Sequence, residues 1–188
     1  MLRSHIGNVI LSRVQIAARV AELAQQLSRD FAPPRISATA PLTVVPVMTG
    51  AMLFCADLVR QMPLRLRVAT VRVSSYPGDA VRSRGAKIID LNLGSLENHH
   101  VLLIDDILDS GNTLRLLTAE LAAYRPATVT TCVLLRKDRP EARATPVDYV
   151  GFDIPDVFVV GYGLNYDDYY RNVPDIVSLK ADILNGRP

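Results

Sequence analysis

Val101-Leu102-Leu103-Ile104-Asp105-Asp106-Ile107-Leu108-Asp109-Ser110-Gly111-Asn112-Thr113 carries the architecture of this chain. Val101 to Ile104 reads as a buried strand of a parallel sheet. Asp105 and Asp106 follow at its carboxyl end, then Ile107, Leu108 and a third acid, Asp109. Ser110-Gly111-Asn112-Thr113 is a small polar turn, and Leu114, Leu117 and Leu121 continue at helical spacing, so the turn opens a helix. Strand, acidic tip, small-residue loop and helix start together make a phosphate site, because backbone N–H groups of the loop and helix N-terminus point at an anion. Gly111 lets the backbone come close, and the Ser110 and Thr113 hydroxyls add donors. The acids repel a bare phosphate. They make sense where they hold ribose hydroxyls, or a hard cation such as Mg²⁺ that the phosphate shares. The spaced glycines and the lysine of a Walker loop are missing. A receiver-like or other doubly wound strand tip that merely carries acids is the competing reading.

A length of 188 residues suits one compact domain, or a core with a small appendage. With 49% hydrophobic and 21% charged residues, the chain has apolar side chains enough for a real core. A formal charge of +2 gives no reason to expect nucleic acid or an anionic membrane as partner. Cys55 and Cys132 sit in apolar surroundings and read as core thiols of a reducing compartment rather than a disulfide. There is no signal-peptide pattern and no apolar run long enough to span a bilayer, so the expected location is cytoplasmic.

Outward from the central stretch, Asn8 to Leu11 reads as a short strand. Ser12 caps a helix whose inner face is Ile16, Val20, Leu23 and Leu27, and Pro33-Pro34 ends it. Leu42 to Met48 reads as the first core strand, although Pro46 is awkward in a central position. Thr49-Gly50 closes that strand, and Met52, Leu53, Cys55, Ala56 and Leu58 continue as a helix. This is a second strand–glycine–helix unit and a second N-terminus able to face an anion. Arg65 to Val73 alternates as a strand, whereas Ser74 to Lys87 is a long loop of the kind that serves function. Lys87 to Leu91 returns the chain. His99-His100 are too close for joint metal ligation from a strand and read as exposed turn residues. Thr128 to Leu135 is a β-branched strand, with Lys137 just past the carboxyl end, where ligands meet parallel sheets. The alternation predicts an α/β fold, a mostly parallel twisted sheet flanked by helices, with its site at the carboxyl ends of the strands.

Ile104 to Thr113 resembles the phosphoribosyl-pyrophosphate (PRPP) motif of type I phosphoribosyltransferases, most closely that of the hypoxanthine(-guanine) group. Val147-Asp148-Tyr149-Val150-Gly151-Phe152-Asp153-Ile154-Pro155-Asp156-Val157-Phe158-Val159-Val160-Gly161-Tyr162-Gly163-Leu164-Asn165-Tyr166 resembles the base-binding end of the same family. The resemblance covers nearly the whole chain and is weakest over residues 1–40. It implies one domain, 1–188, of the type I phosphoribosyltransferase fold. The core spans about 36–136, and a small hood comes from the N-terminal segment and about 137–188.

The resemblance also implies an activity: transfer of 5-phosphoribose from PRPP to N9 of a 6-oxopurine, with release of pyrophosphate, in purine salvage. Ser110, Gly111, Asn112 and Thr113 would cradle the 5′-phosphate, with Asp109 as general base near N7. Asp105 and Asp106 would hold ribose hydroxyls, directly or through Mg²⁺. Met48, Thr49 and Gly50 would form the pyrophosphate loop, with a cis peptide expected at Met48-Thr49. Ser75 and Tyr76 match the pair that begins a mobile lid. Arg82 and Arg84 in that lid face either pyrophosphate or solvent. Lys137 would donate to the oxygen at C6 of the purine. Phe158 would stack on its ring, with Val157 and Val159 beside it, and Val159 would offer backbone groups to the Watson–Crick edge. Arg171 would reach toward pyrophosphate. A homodimer or homotetramer is the family's usual assembly.

Three positions depart from the pattern. Thr49 stands where the family often has Lys or Arg, Asp105 where Glu is common, and Asn165 where an Asp helps hold Mg²⁺. Asn is a neutral and weaker ligand. Two alternatives stay open: another purine phosphoribosyltransferase, taking xanthine or adenine, and, on the strength of Asn165 and Thr49, a non-catalytic PRPP-sensing regulator on the same fold.

Overall fold

The computed structural model describes residues 2–74 and 87–185. The chain opens with α1 (Leu2–His5), β1 (Ile6–Leu11) and α2 (Arg13–Asp30). Ser12 caps α2 in a full capping box. Its hydroxyl accepts from the Gln15 N–H, and the Gln15 side chain accepts from the Ser12 N–H at 2.9 Å. The buried face of α2 is Ile16, Val20, Leu23, Ala24 and Leu27, as its spacing predicts. β2 (Leu42–Met48) and α3 (Met52–Val59) follow, then β3 (Leu66–Val68), β4 (Thr70–Ser74) and β5 (Lys87–Asn92). β6 (His100–Leu108), α4 (Asn112–Ala122), β7 (Thr128–Lys137), α5 (Pro140–Ala144) and β8 (Tyr149–Ile154) complete the core. β9 (Val159–Val160), β10 (Ile176–Leu179) and α6 (Ala181–Asn185) end the described chain.

The larger sheet runs β5-β4-β2-β6-β7-β8, with β3 also on β2, and only the β4–β5 pairing is antiparallel. Period-two alternation fills both its faces. Val44, Leu102, Ile104, Cys132 and Leu134 pack with α2 and α3 on one side. Val45, Val47, Val101, Leu103 and Val133 pack with Leu114, Leu117 and Leu121 of α4 on the other. Both cysteines are free and buried, and burial pushes the Cys55 thiol up to about 11. Among the described residues no helix is long and apolar enough to cross a membrane.

The structure corrects four expectations. The strand expected over Arg65–Val73 is broken at Ala69 into β3 and β4, although both keep one register against β2, with Val44 opposite Val68 and Val47 opposite Val71. Pro46 lies in the gap. It has no N–H for the ladder, so the pairing lapses there and resumes beyond it. The central strand does not stop at Ile104. β6 keeps pairing with β7 as far as Leu108, so Asp105 and Asp106 lie within it.

His99 and His100 are not exposed. His100 is buried at the start of β6, its Nδ1 2.9 Å from Thr128 Oγ1, and His99 Nδ1 lies 2.7 Å from Thr43 Oγ1. Finally, the chain does not leave the core at about 137, because β8 pairs with β7. The second sheet is β1-β10-β9, antiparallel, joining the N-terminal strand to the C-terminal segment.

Ser12→Ala removes the α2 cap. It should cost about 1 kcal/mol and lower the melting temperature by roughly 2–4 °C, measured by thermal denaturation.

Candidate active site

Chain order reverses between β2 and β6. From β2 the chain steps outward to β4 and β5, and from β6 it steps the other way through β7 to β8. Open α/β sheets bind ligands at the carboxyl ends of strands beside such a switch point. Here each of the two strands ends in a tight turn into a helix. Ala51 stands at the N-cap of α3 and Gly111 at that of α4, and neither helix has a side-chain cap. The Met52 N–H donates to the Thr49 carbonyl at 3.2 Å and the Asn112 N–H to Ser110 Oγ at 3.5 Å, and the positive end of each helix dipole still faces the turn. Gly111 has φ of +75°, and a methyl on it would overlap Thr145 Oγ1.

Asp105 and Asp106 stand between the two turns. Asp105 is 4% exposed, and its Oδ1 accepts from the Asp106 N–H at 3.0 Å. Asp106 is half-buried and accepts from the Ile107 N–H at 2.8 Å. Its carboxylate presses on Gly50 so closely that no Cβ fits there. Gly163, in the turn after β9, packs equally tightly on the Gly50 carbonyl. Burial raises the Asp105 carboxyl well above the usual carboxylate range, and the Asp106 charge adds to this. Burial raises Asp106 too, against its hydrogen bonds and the charge of Arg171, which lower it. A buried and a half-buried acid at the end of β6, between two helix starts without side-chain caps, have the chemistry to suit a phosphorylated ligand that brings a cation with it.

The model of the phosphoribosyl transferase domain matches residues 8–167. The hypoxanthine-guanine phosphoribosyltransferase of Bacillus subtilis is 40% identical over 186 residues, 97% of this chain and 98% of that protein. That of Mycobacterium avium is 40% identical over 177 residues, 93% of this chain and 86% of that one. The solved hypoxanthine phosphoribosyltransferase of Staphylococcus aureus superposes with a TM-score of 0.87 at 34% identity, covering 99% of this chain and 97% of that one. This chain belongs to the phosphoribosyltransferase family.

The expected members of a phosphoribosyltransferase site fall on two sides of the switch point. Met48, Thr49 and Gly50 form the turn after β2, and the Met48–Thr49 peptide is cis. Asp109, Ser110, Gly111, Asn112 and Thr113 form the turn after β6 and the start of α4. Lys137, at the end of β7, is 12% exposed and lies 3.6 Å from Asp109 Oδ1. Phe158 is not a core aromatic. It is 43% exposed and meets Tyr166 edge to face at 5.6 Å. Val157 is exposed beside it, and Val159 is buried in β9.

Arg171 donates to the Gly163 carbonyl at 2.7 Å and to Asp168 at 2.9 Å, bracing the turn that holds Asn165. Asn165 is half-buried, two residues from Gly163. Ser75 and Tyr76, like Arg82 and Arg84, lie outside the described residues. Two charged residues of the site went unnoticed in the sequence. Arg139 donates to Asp109 Oδ1 at 2.7 Å, and Asp156 lies 3.3 Å from Lys137 Nζ. Their signal was position, since each sits within two residues of the carboxyl end of a core strand.

The raised carboxyls make a testable cost. A group raised on folding favours the fold only below the ordinary carboxylate range and opposes it once pH passes the raised value. Asp105→Asn should therefore stabilise the ligand-free protein at neutral pH by about 1–2 kcal/mol. The gain should shrink as pH falls and the native pair takes up a proton. Denaturation midpoints at pH 7 and pH 4 check both signs.

Proposed function

We propose that the protein transfers 5-phosphoribose from PRPP to N9 of a 6-oxopurine, hypoxanthine or guanine, releasing pyrophosphate in purine salvage. One observation carries the reading: two helix starts without side-chain caps flank Asp105 and Asp106, with Lys137 at the end of β7 and an exposed Phe158 after β8. The relatives named above bear hypoxanthine and hypoxanthine-guanine phosphoribosyltransferase names.

In this reading the turn 109–113 takes the 5′-phosphate on backbone N–H groups and the Ser110 and Thr113 hydroxyls. Met48, Thr49 and Gly50 take the pyrophosphate. Backbone donors do that work, so a threonine in place of a cation still serves. Arg171 adds the positive charge on that side. Asp105 and Asp106 hold the ribose hydroxyls. Mg²⁺ binds through one or two carboxylates together with substrate oxygens rather than in an all-protein cage. Among the described residues no cluster of three His, Cys, Asp or Glu offers such a cage, whereas the Asp105–Asp106 pair suits a substrate-borne ion. Asp105 and Asp106 would hold it, with Asn165 as a neutral oxygen donor. Held there, it would supply positive charge to offset that on pyrophosphate.

The purine lies on Phe158, between Val157 and the backbone of Val159. Lys137 donates to the C6 oxygen, an acceptor in hypoxanthine and guanine, where adenine carries a donor. The bond from C1′ to the pyrophosphate oxygen breaks and its electron pair leaves with pyrophosphate. N9 supplies the pair for the new bond, and the proton lost from N7 passes to Asp109. Assembly as a homodimer or homotetramer belongs to the same reading.

Pyrophosphate release with PRPP, Mg²⁺ and hypoxanthine tests it, with xanthine and adenine as competitors. Release with hypoxanthine or guanine is expected, and binding of PRPP without release under any purine would establish the sensing alternative instead. Asp109→Asn should lower kcat by about 10²–10⁴-fold with little change in PRPP binding; equal turnover refutes the assigned base. Lys137→Ala should raise KM for the purine and leave KM for PRPP in place, as read from separate substrate titrations.

A further inference from the structure

Four charges close a ring across the carboxyl ends of three neighbouring strands. Asp109 follows β6, Lys137 ends β7, Arg139 lies two residues on, and Asp156 follows β8. The signs alternate around it. Lys137 Nζ lies 3.6 Å from Asp109 Oδ1 and 3.3 Å from Asp156 Oδ1, while Arg139 reaches Asp109 Oδ1 at 2.7 Å and, through Nε, Asp156 Oδ2 at 3.5 Å. Exposure is uneven. Lys137 is 12% exposed, Arg139 37%, and the two acids nearly half. The ammonium is thus the member that relies most on its partners, and Arg139 has water to fall back on.

Resting on the function proposed above, two members must leave this arrangement. Lys137 has to turn its N–H groups to the purine oxygen, and Asp109 has to accept a proton. Were Lys137 the only cation, its departure would leave two carboxylates facing one another uncompensated, so the acids would hold it back. A guanidinium keeps its charge throughout and spreads its donors over a planar fork. Arg139 already touches both acids. Its hydrogen bond to Asp109 goes to Oδ1, which Lys137 Nζ also approaches, and among the described residues no hydrogen bond reaches Oδ2.

We propose that Arg139 is a positioning residue for the purine half of the reaction. It anchors Asp109 by Oδ1 so that Oδ2 faces the purine, and it compensates Asp109 and Asp156 when Lys137 turns to the C6 oxygen.

Initial rates of pyrophosphate release, with PRPP and hypoxanthine varied separately, are compared for wild type, Arg139→Gln, Arg139→Lys and Arg143→Gln. Melting temperatures are recorded alongside. Arg143 lies on α5 outside the ring, paired with Asp138 and Asp153, and controls for loss of a nearby cation. Arg139→Gln should lower kcat/KM for hypoxanthine roughly tenfold, with KM for PRPP and the melting temperature unchanged. Arg139→Lys, which restores charge without the fork, should fall between it and wild type, and Arg143→Gln should match wild type. The inference is overturned if Arg139→Gln equals wild type, if Arg139→Lys is as poor as Arg139→Gln, or if both KM values rise together as the melting temperature falls. An active wild type with an unaffected Arg139→Gln sinks this inference alone. A wild type inactive with every 6-oxopurine sinks the proposed function and this inference with it.

Discussion

At the carboxyl ends of β2 and β6 a backbone, a carboxylate and a second backbone meet with no room for a methyl group between them. Asp106 presses on Gly50, and the Gly50 carbonyl presses on Gly163. This contact joins the turn after β2, the acidic tip of β6 and the turn that leads out of β9. Those segments are far apart in the chain, and each brings a different part of the site. Glycine at 50 and 163 is the condition for the approach, and at Gly163 a φ of +102° adds a second reason.

That closeness explains an arrangement that would otherwise be a defect. Asp105 is fully enclosed and Asp106 half-enclosed, and burial opposes charge on both. Local N–H groups give each only part of what water would supply, and Arg171 adds its charge from across the turn. A fold optimised for stability alone would place apolar side chains there. Retention of two acids at the point of tightest packing makes sense when ribose hydroxyls and a shared cation complete their surroundings. The same logic applies to the uncapped starts of α3 and α4. A cap such as Ser12 gives α2 would fill the space that a phosphate needs.

Local chemistry was legible wherever neighbours in sequence determine it. Leu42–Met48 was read to the residue, the Ser12 cap and the inner face of α2 follow from spacing, and the turn at Ser110-Gly111 opens α4 as expected. The misses share one cause, a partner distant in sequence. The break at Ala69 comes from Pro46 on the neighbouring strand. His100, buried, and His99, half-buried, depend on Thr128 and Thr43 as hydrogen-bond partners. The reach of β6 past its apolar run depends on β7 offering Val133 and Leu135 opposite Asp105 and Ile107. Charged residues at a strand end look solvated when read alone. Only the side-by-side order β6-β7-β8 turns Asp109, Lys137, Arg139 and Asp156 into a circuit.

That order also separates the two halves of the site electrically. Beside β2, Asp105 is buried, Asp106 is half-buried, and the acids are matched by no ion pair of their own among the described residues. Beside β8 the acids carry their own cations, and what arrives there has to be neutral or nearly so, because each charge is already matched. In the proposed reaction a phosphorylated sugar with its metal ion would take the first half and an uncharged purine the second. Asp109, one turn from both, is the residue that each half constrains: its backbone opens the phosphate turn, while its side chain is held in the purine ring of charges.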